Sequence, residues 1–359
     1  MKNRESNIEL LRLVLMLMIV IVHFLGHNIL SASNSITSNN AHFFSSNLLF
    51  SLVVCAVDCF VLISGWFSIK FSVTKLIMFL LPICLYQFLI SLVYHPFGAE
   101  ISINPFAYWF IPPYVALMIM SPILNRGINA LSKKAYIALL ACLTLIFILP
   151  LDSLSGMHGK NSFIFIYIYC LGFFLKKHFS NRYSQAAYFT SFVIATLLIF
   201  AETIGLEKIN RFEGSKTLSY SYDNILIVLA AVFLFLTFNK MKVKSVIINK
   251  LSASAFFVYI ITENTNCWKH STHSIYKLMD VAGWENSSYY ILLILVASIL
   301  TFVTALVIDL FRRAILYKPM MFFSSILFNL EARFVMDNKS VEFKRECYVS
   351  HSAKKGVDL

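Results

Sequence analysis

Four side chains near the start of the chain can carry charge or move protons within an otherwise apolar run: Glu9, Arg12, His23 and His27. Lipid tolerates almost no ionisable groups, so such residues on a hydrophobic helix face protein or a water-filled cleft. At about 100° per residue, the eleven steps from Arg12 to His23 end about 20° past three full turns, and the fourteen steps from Glu9 to His23 end about 40° short of four. Glu9, Arg12 and His23 therefore share one stripe, with Arg12 and His23 roughly 16 Å apart along the axis and Glu9 one turn from Arg12. Two readings follow. In the chemical one, Arg12 holds an anionic ligand and His23 is a general base. In the other, Glu9 and Arg12 are an interfacial ion pair and the histidines are polar residues at headgroup level, which is how His27 reads.

The elements that must position this stripe are membrane helices. Hydrophobic residues make up 58% of the 359 positions and charged residues only 13%, and the mean hydropathy is +0.74. One soluble core cannot hide that surplus, which instead falls in recurrent apolar stretches of about twenty residues. The alternation of barrel strands is absent. The sequence predicts an all-α, polytopic membrane bundle of about ten spans: 7–30, 48–67, 75–94, 106–124, 135–150, 163–175, 187–203, 222–238, 252–268 and 289–311. With the N-terminus cytoplasmic, alternate loops divide the thirty Lys and Arg residues roughly 24 inside to 6 outside. That asymmetry predicts cytoplasmic termini and explains most of the net charge of +12 without nucleic acid, while leaving an inner face attractive to anionic lipids. Residues 1–312 read as the membrane domain and 313–359 as a cytoplasmic tail, partly interfacial and partly disordered. The seven cysteines are scattered, and no spaced metal ligands or nucleotide-binding glycine pattern occur.

Other positions carry open alternatives. Asp58, inside the second span, is either an orienting partner for a histidine or paired with a nearby cation. Ser64 and Gly65 permit close helix packing or, less simply, supply a nucleophile. Tyr108, Trp109 and Tyr114 form either a sugar-stacking platform or part of an interfacial aromatic belt. Glu263 and Asn264 either bind acceptor hydroxyls or end a helix in water. Glu202 and Asp309 read as solvated or snorkelling residues near span ends.

The chain resembles the acyltransferase-3 family, integral membrane O-acyltransferases of bacterial surface glycans. The resemblance lies in Asn7-Ile-Glu-Leu-Leu-Arg-Leu with His23 ten residues beyond Arg12, in Asp58-Cys-Phe-Val-Leu-Ile-Ser-Gly-Trp-Phe67, and in Tyr108-Trp-Phe-Ile with Tyr114 and Ser121-Pro-Ile-Leu-Asn125. It continues in Tyr167-Ile-Tyr-Cys-Leu-Gly-Phe173 and in Leu251-Ser-Ala-Ser-Ala-Phe-Phe-Val-Tyr-Ile-Ile-Thr-Glu-Asn264, covering about residues 5 to 312. Two departures stand out. Thr262 occupies a position where relatives often carry histidine, leaving any such role lost or passed to Glu263 or Asn264. Lys70 and Lys75 stand where many relatives have an arginine pair, keeping charge but giving up the bidentate fork.

The resemblance implies transfer of an acyl group, usually acetyl, from acetyl-CoA or another acyl-CoA to a hydroxyl of a capsule, exopolysaccharide or other envelope glycan in the bacterial cytoplasmic membrane. It implies His23 as general base or acyl acceptor, with Arg12, Glu9 and Asp58 in support. Arg12, Lys70, Lys75 and Arg126 would hold the donor's phosphates, and Tyr108, Trp109, Tyr114, Glu263 and Asn264 the acceptor. The implied partners are membrane lipids, acyl-CoA and a glycan or lipid-linked glycan, with no metal. A glycan transporter or polymerase-like protein shares the many short-looped spans, and differs in consuming no thioester.

Overall fold

In the computed structural model the chain is helical, with no strand among the described residues, which are 5–26, 42–148, 159–180, 182–209, 219–281 and 289–355. Helices are the expected answer for an apolar chain, because each satisfies its own backbone donors and acceptors. In chain order they are α1 (Ser6–Phe24), α2 (Phe43–Val53), α3 (Ala56–Phe67), α4 (Val73–Tyr94), α5 (Ile111–Ala130) and α6 (Lys133–Ile148). Then come α7 (Ser162–His178), α8 (Gln185–Ile209), α9 (Ile225–Asn239), α10 (Val246–Thr262), α11 (His273–Val281) and α12 (Tyr290–Lys355). Their starts are set by polar residues in the links. Ser72, Asn161, Asn224 and Ser245 each accept from an amide in the first turn of α4, α7, α9 and α10.

Among the described residues, five stretches are long and apolar enough to cross a membrane: Ser6–Phe24, Phe43–Phe67, Val73–Phe97, Gln185–Leu206 and Tyr290–Glu331. The sequence reading expected ten spans, and much of the difference is length. Helices α6, α7 and α9 have 16, 17 and 15 residues, about 23–26 Å at 1.5 Å per residue against a hydrocarbon core of about 30 Å. After α10 the chain bends by 67° into residues 265–275. The expected boundary at residue 312 has no counterpart in the backbone, since α12 runs on as helix through 66 residues to Lys355.

α1 lies at the centre and touches α2, α3, α9, α10 and α12. Its partnership with α10 is parallel: Ser6 accepts from the amide of Ser245 (3.1 Å) at one end, and His23 meets Thr262 (3.0 Å) at the other. Beside this pair, α3 and α7 approach through reciprocal glycines. A Cβ at Gly65 would stand 2.1 Å from the carbonyl oxygen of Tyr169, and one at Gly172 would stand 2.2 Å from that of Leu62.

The link between α3 and α4 is pinned by a closed network. The Tyr169 hydroxyl accepts from the amide of Ile69 (3.0 Å) and donates to Asn125 Oδ1 (2.7 Å), while Asn125 Nδ2 donates to the Ile69 carbonyl (2.9 Å). This holds the turn at Ser68, whose φ is 57°, against α5 and α7. The start of α4 is also held from afar, because Glu331 on α12 accepts from the amides of Val73 (2.9 Å) and Thr74 (3.2 Å) and from the Thr74 hydroxyl (2.6 Å).

Replacing Gly65 or Gly172 by alanine pushes a methyl group into backbone that cannot yield, and overpacking of this kind costs about 1–3 kcal/mol. Gly65→Ala and Gly172→Ala will each lower the thermal midpoint of the purified protein in detergent. Gly127→Ala, where nothing lies within 4 Å of the added carbon, will leave it unchanged.

Candidate active site

The polar residues of α1 are matched by polar residues of α10. Near the N-terminal end, Glu9 is buried and accepts from the Ser252 hydroxyl (2.5 Å) and from Arg12 Nη1 (3.2 Å). The ion pair expected from spacing is present, and Ser252 extends it onto α10. The Arg12 guanidinium also lies 5.9 Å from the centroid of the Phe67 ring, and Lys176 Nζ lies 5.7 Å from the same centroid. The two cations therefore converge on one ring, within range of a cation–π attraction. Lys70, Lys75 and Arg126 are exposed at this end of the bundle. Lys75 Nζ donates to the Lys70 carbonyl (2.7 Å), and the Asn125–Tyr169–Ile69 network draws the neighbourhood of Arg126 toward the same link.

Toward the other end of α1, His23 is buried with both ring nitrogens engaged: Nδ1 is 3.0 Å from Thr262 Oγ1 and Nε2 is 2.9 Å from Glu263 Oε2. An ionised carboxylate only accepts hydrogen bonds, so the nitrogen facing it carries hydrogen. Nδ1 faces a hydroxyl that also reaches the Val258 carbonyl (2.9 Å). A base held from behind by a carboxylate and facing a hydroxyl is the arrangement required to take a proton from an alcohol. His27 lies outside the described residues.

The wall beside His23 is aromatic and amide-rich. Tyr259 stands 6.0 Å from the imidazole and 6.0 Å from Tyr108, ring centroid to centroid. Asn264 donates to the Tyr108 hydroxyl (3.0 Å) and to Gln87 Oε1 (2.8 Å), while its own Oδ1 caps the turn that follows. Asn264 is 3% exposed, so the alternative of a helix end in water does not hold for it.

A family model described as an acyltransferase domain matches residues 5–310. The chain belongs to the acyltransferase-3 family. No curated protein and no solved structure matches it. It is thus a helical membrane acyltransferase by family and by the apolar stretches long enough to span.

Against the sequence expectations for such an acyltransferase, several residues sit differently. Asp58 on α3 is fully buried, and neither carboxylate oxygen has a hydrogen-bond partner among the described residues. It neither orients His23 nor pairs with a cation there. The reason is position: Glu263 and Thr262 already occupy both nitrogens of the imidazole. Tyr108, Trp109 and Tyr114 do not make one platform. Tyr108 is buried against Asn264, Trp109 stacks on Tyr222 (5.3 Å between ring centroids), and the Tyr114 hydroxyl bonds Ser64 Oγ (3.2 Å). Consecutive aromatics at a helix start point in different directions, so adjacency in sequence does not give a shared face. Ser64, which also donates to the Phe60 carbonyl (3.1 Å), joins helices together with Gly65.

Of two carboxylates expected in water, Glu202 is half-buried and Asp309 fully buried, and both have partners. Glu202 accepts from Asn224 (2.8 Å). Asp309 has no exposure and accepts from Arg312 Nε (2.7 Å) and the Tyr86 hydroxyl (2.9 Å), while the guanidinium lies 4.5 Å from the Phe257 ring centroid. Sequence reasoning missed Thr262, Ser252 and Lys176 as contacts of the stripe. The departure at Thr262 was visible, but it read as a lost histidine and not as a hydroxyl for the histidine on α1.

Removing one member of a buried pair strands the other. Arg312→Gln will destabilise the protein by about 3–5 kcal/mol, and the double variant Asp309→Asn/Arg312→Gln will recover most of that loss. Unfolding midpoints in detergent for the two variants check this; equal midpoints would show that loss of Arg312 does not strand the Asp309 carboxylate.

Proposed function

We propose that this family member is an O-acyltransferase that moves an acyl group, most simply acetyl, from an acyl-CoA thioester to a hydroxyl of a bacterial envelope glycan. The observation that carries the reading is the Glu263–His23–Thr262 arrangement in a chain whose residues 5–310 match the acyltransferase family. A sugar hydroxyl attacks a thioester poorly until a base accepts its proton. His23 Nδ1 is the proton acceptor in this scheme, and Glu263 fixes the tautomer and stabilises the imidazolium that forms. The acceptor hydroxyl displaces Thr262 Oγ1 from its place opposite Nδ1, its oxygen attacks the thioester carbonyl, and coenzyme A leaves as the thiolate. His23 then returns the proton to that thiolate.

Support for the donor comes from the cations at the N-terminal end of α1. Arg12, Lys70, Lys75 and Arg126 would hold the phosphates of coenzyme A, and the roughly 16 Å of helix from Arg12 to His23 suits an extended pantetheine arm. Glu9, held by Ser252, would keep the Arg12 guanidinium oriented. Tyr108, Asn264 and Glu263 would line the acceptor's approach, with Trp109 and Tyr114 more remote. The full arrangement would be ten spans with both termini in the cytoplasm, the shorter helices crossing a locally thinned or tilted region. The same reading puts the protein in the bacterial cytoplasmic membrane among anionic lipids.

His23→Ala will lower acyl-CoA-dependent acylation by roughly 10²–10⁴-fold, the usual weight of a general base, while the protein still reaches the membrane. Thr262→Val will lower turnover less and Thr262→Ser will retain it. Release of free coenzyme A, together with base-labile ester signals in the envelope polysaccharide by NMR, checks all three; normal turnover by His23→Ala would remove the assignment, and glycan movement without thioester consumption would replace it with a transporter.

A further inference from the structure

A cavity of about 480 Å³ opens on the flank of the bundle between α6 and α7, outside everything assigned to acyl transfer. Lys133 from the first turn of α6 and His178 from the last turn of α7 line it, joined by Ser180, Arg182 and Tyr183 from the link to α8. Phe174 forms part of its apolar wall, and no carboxylate lines it among the described residues. The chain end of α7 sends three successive side chains to three places. Lys176 reaches Phe67 on α3, Lys177 donates to the Asn129 carbonyl on α5 (3.2 Å), and His178 serves the cavity.

The lining is organised and not merely basic. Arg182 Nε donates to Ser180 Oγ (2.6 Å), which fixes the plane of the guanidinium at the rim. The His178 ring lies edge-on to Tyr136 (5.9 Å, 83°) and 5.5 Å from Phe174, and its Nε2 is buried with no hydrogen-bond partner among the described residues. Two permanent cations, an imidazole and two hydroxyls around one space match the tetrahedral oxygens of a phosphate, with Arg able to engage two at once. Ile137 and Tyr183, 47% and 66% exposed, continue the cavity onto an apolar outer surface.

We propose that this cavity binds a phosphate ester, its charge between Lys133 and Arg182 and its apolar part against Phe174 and the flank. Basic pockets between membrane helices hold anionic headgroups by this chemistry, and a free phosphate would satisfy the same donors. The inference does not depend on the acyl-transfer reading, since none of these residues is assigned to that reaction.

The test uses the purified full-length protein in neutral detergent, with phosphatidylglycerol, phosphatidylcholine and inorganic phosphate as probes. Retention is read by native mass spectrometry and stabilisation by thermal midpoint. The wild type will retain or be stabilised by phosphatidylglycerol over phosphatidylcholine, and Lys133→Gln/Arg182→Gln will weaken this roughly thirty-fold, at about five-fold per cation. Lys133→Arg/Arg182→Lys will preserve it, as will the charge-matched control Lys269→Gln/Lys277→Gln at exposed positions elsewhere. An effect of phosphatidylglycerol alone identifies a lipid headgroup, and a Lys133- and Arg182-dependent effect of inorganic phosphate identifies a soluble source. If the doubly neutralised protein responds to both anions like the wild type, the cavity is not a phosphate site.

Discussion

The parallel register of α1 against α10 is the constraint from which the rest of the site follows. A helix carrying Glu9 and His23 through apolar surroundings is affordable only if each polar group meets a partner on a neighbour. Helix α10 provides Ser252 for the first and Thr262, with Glu263 just past its end, for the second. Because both helices run the same way, one packing relationship satisfies both ends together. A slip of one residue would rotate the partners by about 100° and leave buried charge exposed to apolar side chains. The register is therefore enforced electrostatically as well as by packing.

Much of this was legible in the residue order. Apolar run lengths gave an all-helical membrane chain, and the 3.6-residue period gathered Glu9, Arg12 and His23 on one stripe. The Glu9–Arg12 pair at i,i+3 is where that period puts it. What periodicity cannot supply is the neighbour across the interface. Thr262 and Ser252 are ordinary helix residues until α1 is laid beside them, and Asp309 looks solvated until Tyr86 and Arg312 enclose it. Likewise the aromatic cluster at 108–114 is compact in sequence yet divided among three partners, because Tyr108 and Trp109 lie in the link before α5 and Tyr114 lies on the helix itself. Counting ten spans from hydropathy was limited in a related way: a run of apolar residues does not reveal where an Asn cap starts the helix, as at α9, which begins at Ile225 and not at 222.

Charge is distributed along the molecule in two distinct manners. Inside the bundle much of it is paired, as in Glu9–Arg12, His23–Glu263 and Asp309–Arg312, although Asp58 is not, among the described residues. Near the links 67–75 and 126–134 and the end of α7 it is single-signed and outward, with Lys176 brought to the Phe67 ring that the Glu9-paired Arg12 also approaches. Paired charge fixes helix positions, whereas unpaired charge of one sign invites anions. The network of Tyr169, Asn125 and Ile69 connects the two regimes, since it ties the outward cations to the tightly packed α3–α7 interface.

The carboxylate that Glu331 lends to the first amides of α4 bears on where the working unit ends. The family match stops at residue 310, yet the amino end of α4 borrows its cap from twenty-one positions farther along. A protein trimmed to the recognised borders would keep all of its proposed chemistry and lose the far-side anchor of the very turn that bears Lys70 and Lys75. Homology and mechanical self-sufficiency therefore draw different edges on this chain, and α12 past 310 belongs to the folding unit even though it lies beyond the family's outline.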